Sequence, residues 1–193
     1  MNPWLFALLA VAIIVGGATF WLYRVQTYHL LTLREGALYR TGNRGLRELA
    51  TAVRKVNPRT VVTLIDDKEL AHPDKPMFHQ EADYLKRRGV ELVRIPVPLG
   101  GWPTKEQVSQ FLAIATDPAR QPVLVHCAQG VRRTGMMVAA YQRSVLGQDA
   151  GTVKAQMPTF GHSRRTVGDI ERFVDGYNPT TGDVPTDLPA GKE

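Results

Sequence analysis

The stretch from Val123 to Met137, VLVHCAQGVRRTGMM, constrains this chain more than any other. A β-branched apolar run ends at His126. A short glycine-containing loop follows from Cys127, and an apolar helical pattern starts at Thr134. A continuous apolar strand that feeds a helix through a short loop belongs in a mostly parallel sheet covered on both faces. The loop is suited to hold an anion. Successive backbone N–H groups between Cys127 and Arg133 can aim inward, and the helix that follows adds the positive end of its dipole. Gly130 permits a backbone conformation that a side chain opposes. Arg133 supplies a planar, permanently charged, two-pronged donor. The same field favours a thiolate at Cys127. An ordinary thiol titrates near 8.5 and is mostly protonated at neutral pH; a fall of about two to three units makes it mostly thiolate and nucleophilic.

Cys127 is the only cysteine in 193 residues. That excludes an intramolecular disulfide framework, argues against a cysteine-built zinc site, and leaves a free thiol suited to a reducing compartment. Formal net charge is +6, from 24 Lys and Arg against 18 Asp and Glu. Such an excess favours phosphorylated or otherwise polyanionic partners.

The string HCAQGVRRTG resembles the signature of the cysteine-based protein tyrosine and dual-specificity phosphatases: His-Cys, two residues, Gly, two residues, Arg, Ser or Thr, then Gly. Leu38-Tyr39-Arg40-Thr41-Gly42 resembles the opening strand of the compact atypical dual-specificity phosphatases, and TVVTLIDD their second strand. The resemblance runs from Glu35 to Tyr177. It implies a phosphomonoester hydrolase that needs no metal or cofactor. It also implies roles. Cys127 attacks phosphorus and forms a phosphocysteine. The backbone of Ala128, Gln129, Gly130, Val131, Arg132 and Arg133 holds the phosphoryl oxygens, and the Arg133 guanidinium stabilises the transition state. Thr134 donates a hydroxyl hydrogen bond to sulfur, and His126 orients the loop and tunes the thiol. The Arg132 side chain is expected to point outward as a solvated charge. Arg164 and Arg165 are read as rim or surface cations, Trp102 as pocket wall or core filling, and Met136 and Met137 as buried.

One family part is missing. The family carries an aspartic acid on the loop after the strand that corresponds to Glu91–Val97, where it protonates the leaving oxygen. Here that loop reads PVPLGGWPTKE, with no Asp. Asp66, Asp67 and Glu106 are the alternatives, with Asp67 favoured because strand ends beside a catalytic loop form the crevice of an open α/β sheet. Two competing functions follow: a phosphate or phosphoinositide reader that kept the cradle without the acid, and a rhodanese-type sulfurtransferase.

Around the motif, strand patterns alternate with helical ones. Strands are expected over Ala37–Arg40, Thr60–Ile65, Glu91–Val97 and Pro122–His126. Helices are expected over Leu46–Val56, Lys75–Gly89, Thr104–Thr116, Thr134–Leu146 and Thr166–Tyr177. The fold class is therefore α/β, a mostly parallel sheet flanked by helices in the manner of dual-specificity phosphatases, over residues 35–177. Residues 178–193 read as a disordered tail. From Trp4 to Tyr23 the chain carries no charge, which predicts a transmembrane anchor over residues 1–24 and a juxtamembrane linker over 25–34. Arg24, Arg34 and Arg40 after the run place the catalytic domain on the cytoplasmic side. Phosphorylated protein, or an inositol phosphate or phosphoinositide, is the expected substrate, with the membrane as a partner through the N-terminal helix; no nucleic-acid partner is expected.

Overall fold

Residues 3–186 are described by the structure, a computed structural model, except for the side chains of residues 3, 5–7, 23–26 and 164–166. The sheet has five strands: β1 (Leu31–Arg34), β2 (Leu38–Gly42), β3 (Thr60–Thr63), β4 (Glu91–Arg94) and β5 (Val123–Cys127). Their spatial order is β1-β2-β5-β3-β4. Only β1 runs antiparallel, paired to β2 at the edge; the other pairings are parallel. The strand that ends in Cys127 is thus the middle one. It is fully buried, which is why it reads as an unbroken apolar run.

Side-chain alternation along β5 divides the core. Val123, Val125 and Cys127 face one layer, built on α5 (Lys105–Thr116), α6 (Arg132–Ser144) and α8 (Arg164–Gly176), with Phe111, Met136, Met137, Tyr141 and Phe173 at its centre. Leu124 faces the other layer, with Val61 beside it and Leu49, Val53 and Leu85 from α2 (Leu46–Val56) and α4 (Met77–Arg87). Because successive side chains point to opposite faces, His126 and Cys127 are sent to opposite sides of the sheet.

Local signals explain most boundaries. Helix α2 ends where Asn57 takes a left-handed conformation before Pro58. Thr104 caps α5 through a reciprocal capping box with Gln107. Gly89, at positive φ, turns the chain out of α4. Three elements had no expectation: β1, the short α3 (Asp67–Leu70) and α7 (Ala150–Gln156). Strand β1 falls inside the segment expected to be a linker. Past α8, Asn178 and Asp183 close a turn through backbone bonds, and Lys105 reaches Asp183 at 2.8 Å. The rest of the expected tail, 187–193, lies outside the described residues.

The transmembrane anchor is corrected. A helix α1 forms over Pro3–Gln26, yet among the described residues no helix is long and apolar enough to cross a membrane. Gly16, Gly17 and Thr19 weaken the apolar character in the middle of α1; the Thr19 hydroxyl bonds back to Val15 O at 2.7 Å. The single-pass topology, the cytoplasmic placement inferred from it and the membrane partnership through this helix fall with the anchor.

Phe111 is fully buried between sheet and helices. Phe111→Ala is expected to lower unfolding free energy by about 3–5 kcal/mol, read as a reduced denaturant midpoint with an unchanged slope.

Candidate active site

The cradle begins where β5 ends. Cys127 is 3% exposed, and the Gly130 N–H donates to its Sγ at 3.2 Å. Gly130 has φ +67, and a Cβ there would lie 2.3 Å from Thr41 O. Glycine is therefore required both by backbone conformation and by the close approach of β2. Helix α6 opens directly after the loop, with Gly135 N–H donating to Val131 O at 2.7 Å. Thr134 Oγ1 is buried with no hydrogen bond of full geometry; it lies by the Cys127 sulfur and helps to hold the thiol down. Burial alone would push this thiol up. The Arg133 charge, the Thr134 hydroxyl and N–H, and the Gly130 N–H together outweigh it, so Cys127 titrates below its ordinary value.

Arg133 is held from behind. Its Nη1 donates to Glu69 Oε2 and to Leu64 O at 3.1 Å, and its Nη2 donates to Glu69 Oε1 at 3.1 Å. Glu69 is buried at the third position of α3, whose capping box it completes with Asp66. The short helix therefore acts as a bracket for the clamp. Burial lowers the Arg133 pKa, but Glu69 and the Cys127 charge raise it more, so this guanidinium stays charged.

His126 lies on the opposite face, fully buried. Its Nε2 meets Glu81 Oε1 of α4 at 2.7 Å, and Nδ1 lies 3.3 Å from Cys127 O. Burial disfavours the imidazolium, but the Glu81 carboxylate and Cys127 more than compensate and its pKa rises. The other Glu81 oxygen accepts from Asn43 Nδ2 at 2.8 Å, and Asn43 N–H donates to the Cys127 and Ala128 carbonyls. His126, Glu81 and Asn43 thus fix the backbone on which the cradle starts. From β2, Arg40 donates to Gly130 O at 2.7 Å while 2% exposed. Burial lowers its pKa to about 10, which leaves it charged at neutral pH.

Asp67, Arg132 and Asp66 each have partners away from the reacting sulfur. Asp67 is not at the cradle: its side chain is 78% exposed and bonded to Arg94 at 2.6 Å, because the first helical position of α3 points to solvent. The Arg132 side chain is not a free solvated charge. It donates to Asp169 Oδ2 at 2.9 Å, to Gly101 O at 2.6 Å and to Gly100 O at 2.9 Å. It therefore pins the loop after β4 to α8. Asp66 is the helix cap, accepting from Glu69 N–H at 2.7 Å and Leu99 N–H at 2.8 Å. Burial would raise its pKa, but those two N–H groups and Arg133 bring it below the usual carboxylate value. Glu106 is exposed in the first turn of α5, its pKa lowered by its own backbone N–H and the Thr104 hydroxyl. Met136 and Met137 are buried, and Trp102 packs edge-on against Phe173 at 5.7 Å. The side chains of Arg164 and Arg165 lie outside the described residues. Among the described residues no cluster of three or more His, Cys, Asp or Glu side chains could hold a metal ion.

Glu69, Glu81, Asn43 and Arg40 were missed as site residues. Asp66-x-x-Glu69 is a legible capping box, and Arg40 stands in a phrase that had already drawn notice. Glu81 and Asn43 gave no separate signal.

A buried, depressed thiol beside the Gly130 and Thr134 N–H groups and a bracketed arginine, at the central strand end of this sheet, fits the make-up of the cysteine-dependent phosphatases of the protein-tyrosine/dual-specificity class. A family model described as DSP-PTPase phosphatase fused to NAD+ kinase (PTP-NADK) matches residues 34–171, and the chain belongs to that family. A probable NAD kinase 2, chloroplastic, of Oryza sativa subsp. japonica is 38% identical over 83 residues, covering 43% of this chain and 8% of that protein. NAD kinase 2, chloroplastic, of Arabidopsis thaliana is 34% identical over 71 residues, 36% of this chain and 7% of that protein. The chain thus spans less than a tenth of the length of these curated relatives. Among solved structures, the core catalytic domain of the PP-IP phosphatase SIW14 of S. cerevisiae, in complex with citrate, matches with a TM-score of 0.62 and 18% identity, over 77% of this chain and 85% of that one. P. aeruginosa TpbA in complex with pTyr matches with a TM-score of 0.62 and 21% identity, over 81% and 89%. These likenesses are likenesses of fold.

Two measurements probe the electrostatics. The iodoacetamide alkylation rate of Cys127 should rise with pH through a value below that of a free thiol. Glu69→Gln, which releases Arg133, should move that inflection upward and lower kcat/KM by about 10²-fold. His126 has a raised pKa in the folded protein, so its contribution to stability is complete below the ordinary histidine value of about 6.5 and is lost as pH rises through the folded value. Glu81→Gln should flatten that dependence in denaturant titrations.

Proposed function

We propose that this chain hydrolyses phosphomonoesters by way of a phosphocysteine on Cys127, and that it acts best where the leaving group is weakly basic. The observation that carries the reading is the convergence of the Gly130 N–H, Thr134 and Arg133 on one buried sulfur. The thiolate attacks phosphorus, the bond from phosphorus to the ester oxygen breaks, and that oxygen departs with the electron pair. Water then attacks the phosphocysteine, the S–P bond breaks, and inorganic phosphate leaves as the thiolate re-forms. The Arg133 guanidinium and the loop N–H groups hold the three equatorial oxygens through both steps. Thr134 steadies the sulfur as it departs in the second. His126 keeps the loop in register.

The preference for leaving groups follows from the proton inventory. Loop 98–103 carries no carboxyl group and is tied down by Arg132. Asp66 is held ionised as a cap, and Asp67 is engaged by Arg94. The departing oxygen therefore takes its proton from solvent, which penalises basic alkoxides most. An aryl ester such as phosphotyrosine leaves as a phenoxide, and a phosphoanhydride leaves as phosphate; both meet the requirement. Among the structures that share this fold, TpbA is bound to pTyr and SIW14 is described as a PP-IP phosphatase. The sulfurtransferase alternative has no support from the family match. The phosphate-reader alternative is weakened by the intact nucleophile and clamp.

With a series of aryl phosphates, kcat/KM should fall steadily as the leaving phenol becomes more basic. Asp66→Asn, Asp67→Asn and Glu106→Gln should each leave that slope and the pH profile in place, whereas Cys127→Ser should lower turnover by at least about 10³-fold. A flat dependence on the leaving group, or turnover that persists in the serine variant, would overturn the mechanism.

A further inference from the structure

Beside the cradle lies a cavity of about 440 Å³ that the hydrolysis does not use. Ala128 and Gln129 of the cradle loop form one side of it. Arg44, from the loop after β2, and Lys75, just before α4, bring two cations to it, and no residue lining it is acidic. The third element of the wall is apolar: Met77, Phe78 and the ring of Tyr28.

The two cations differ in their engagement. The Arg44 side chain is exposed, with its guanidinium carbon 5.0 Å over the Tyr28 ring. Among the described residues it has no carboxylate within salt-bridge distance. Stacking on an aromatic face holds a guanidinium flat and leaves its donor edge free for a two-pronged acceptor. Lys75 Nζ lies 3.8 Å from Glu69 Oε1, the carboxylate that brackets Arg133. It is thus one carboxylate removed from the catalytic clamp. The cavity is a lateral extension of the phosphate site, positive in sign and walled with apolar surface.

We propose that this cavity is a subsite for a second phosphate, and that the substrate is a compact molecule carrying at least two phosphate groups. One is taken by the cradle; the other is taken by Arg44, with Lys75 beside it. This rests on the phosphatase reading above and narrows its substrate. The volume suits a small molecule, the absence of acidic lining suits a polyanion, and the apolar wall suits the scaffold that joins the two phosphates. A phosphotyrosine side chain on a protein would fill the cradle and leave this subsite without an anion.

Affinity decides the matter separately from turnover. Calorimetric titration of the Cys127→Ser protein with 1,4-phenylene bisphosphate and with phenyl phosphate, at low salt, should show the bisphosphate binding about tenfold tighter or more, the gain of one charge-assisted two-pronged contact. Adding Arg44→Gln, or Met77→Glu on the apolar wall, should bring the ratio close to one, because both probes then reach the cradle alone. Equal affinities for the two probes, or a ratio that survives both substitutions, would overturn the subsite. A doubly phosphorylated peptide that gains affinity over its singly phosphorylated form, where phenylene bisphosphate gains none, would overturn the assignment to a small molecule. If the unaltered protein turns over no aryl phosphate, the catalytic reading fails while the affinity ratio still reports on the subsite.

Discussion

A thiol buried at the end of the central strand, and held below its ordinary pKa so that it ionises more readily, is the constraint on which the rest of the site depends. A negative charge removed from water needs compensation close by. The chain answers with alternating charges: Cys127, then Arg133, then Glu69, then Lys75 at the edge of solvent. Along this chain each charge faces one of opposite sign. Beneath the loop, Arg40 adds a second buried cation whose Nη2 donates to the Gly130 and Val131 carbonyls, which keeps the Gly130 N–H turned toward sulfur.

Strand parity separates the two supports of this arrangement. Cys127 faces the α6 layer, where the helix N-terminus and Arg133 wait. His126 faces α4 and is neutralised there by Glu81. Chemistry and scaffolding therefore occupy opposite faces of one strand, and the scaffold can be rigid without obstructing the site. The loop after β4 is rigid as well, through Arg132 and Asp169, and it brings backbone carbonyls rather than a proton donor to the site's edge. Selectivity toward the leaving group, and toward what sits in the neighbouring cavity, then follows from what these walls present.

Much of this was legible in the chain. The string from His126 to Gly135 gave the strand–loop–helix frame and the residues proposed as nucleophile and clamp, and the capping signals at Thr104 and Asn57 placed two helices. Two errors have a shared cause. Asp67 and Arg132 were judged by their neighbours in sequence, yet the partners that set their roles, Arg94 and Asp169, lie 27 and 37 residues away. The N-terminal run misled for another reason: absence of charge and sufficient length were taken as enough, yet among the described residues no helix is both long and apolar enough to cross a membrane. Strand β1 was overlooked because four residues, Leu31 to Arg34, are too short a run for their apolar–polar alternation to stand out, and its edge position leaves it mostly exposed.

The sequence alone determined the groups proposed to react and their order along the backbone, because a thiol, a tight glycine turn and an arginine within one loop are bound by local covalent geometry. Tertiary structure alone decided which carboxylates hold that loop in place. Glu69 and Glu81 reach it from separate helices, across gaps of 64 and 45 residues to Arg133 and His126. Such contacts depend on how layers stack on the sheet, and a glutamate on a helix carries no mark of whether its face will meet solvent or a buried cation.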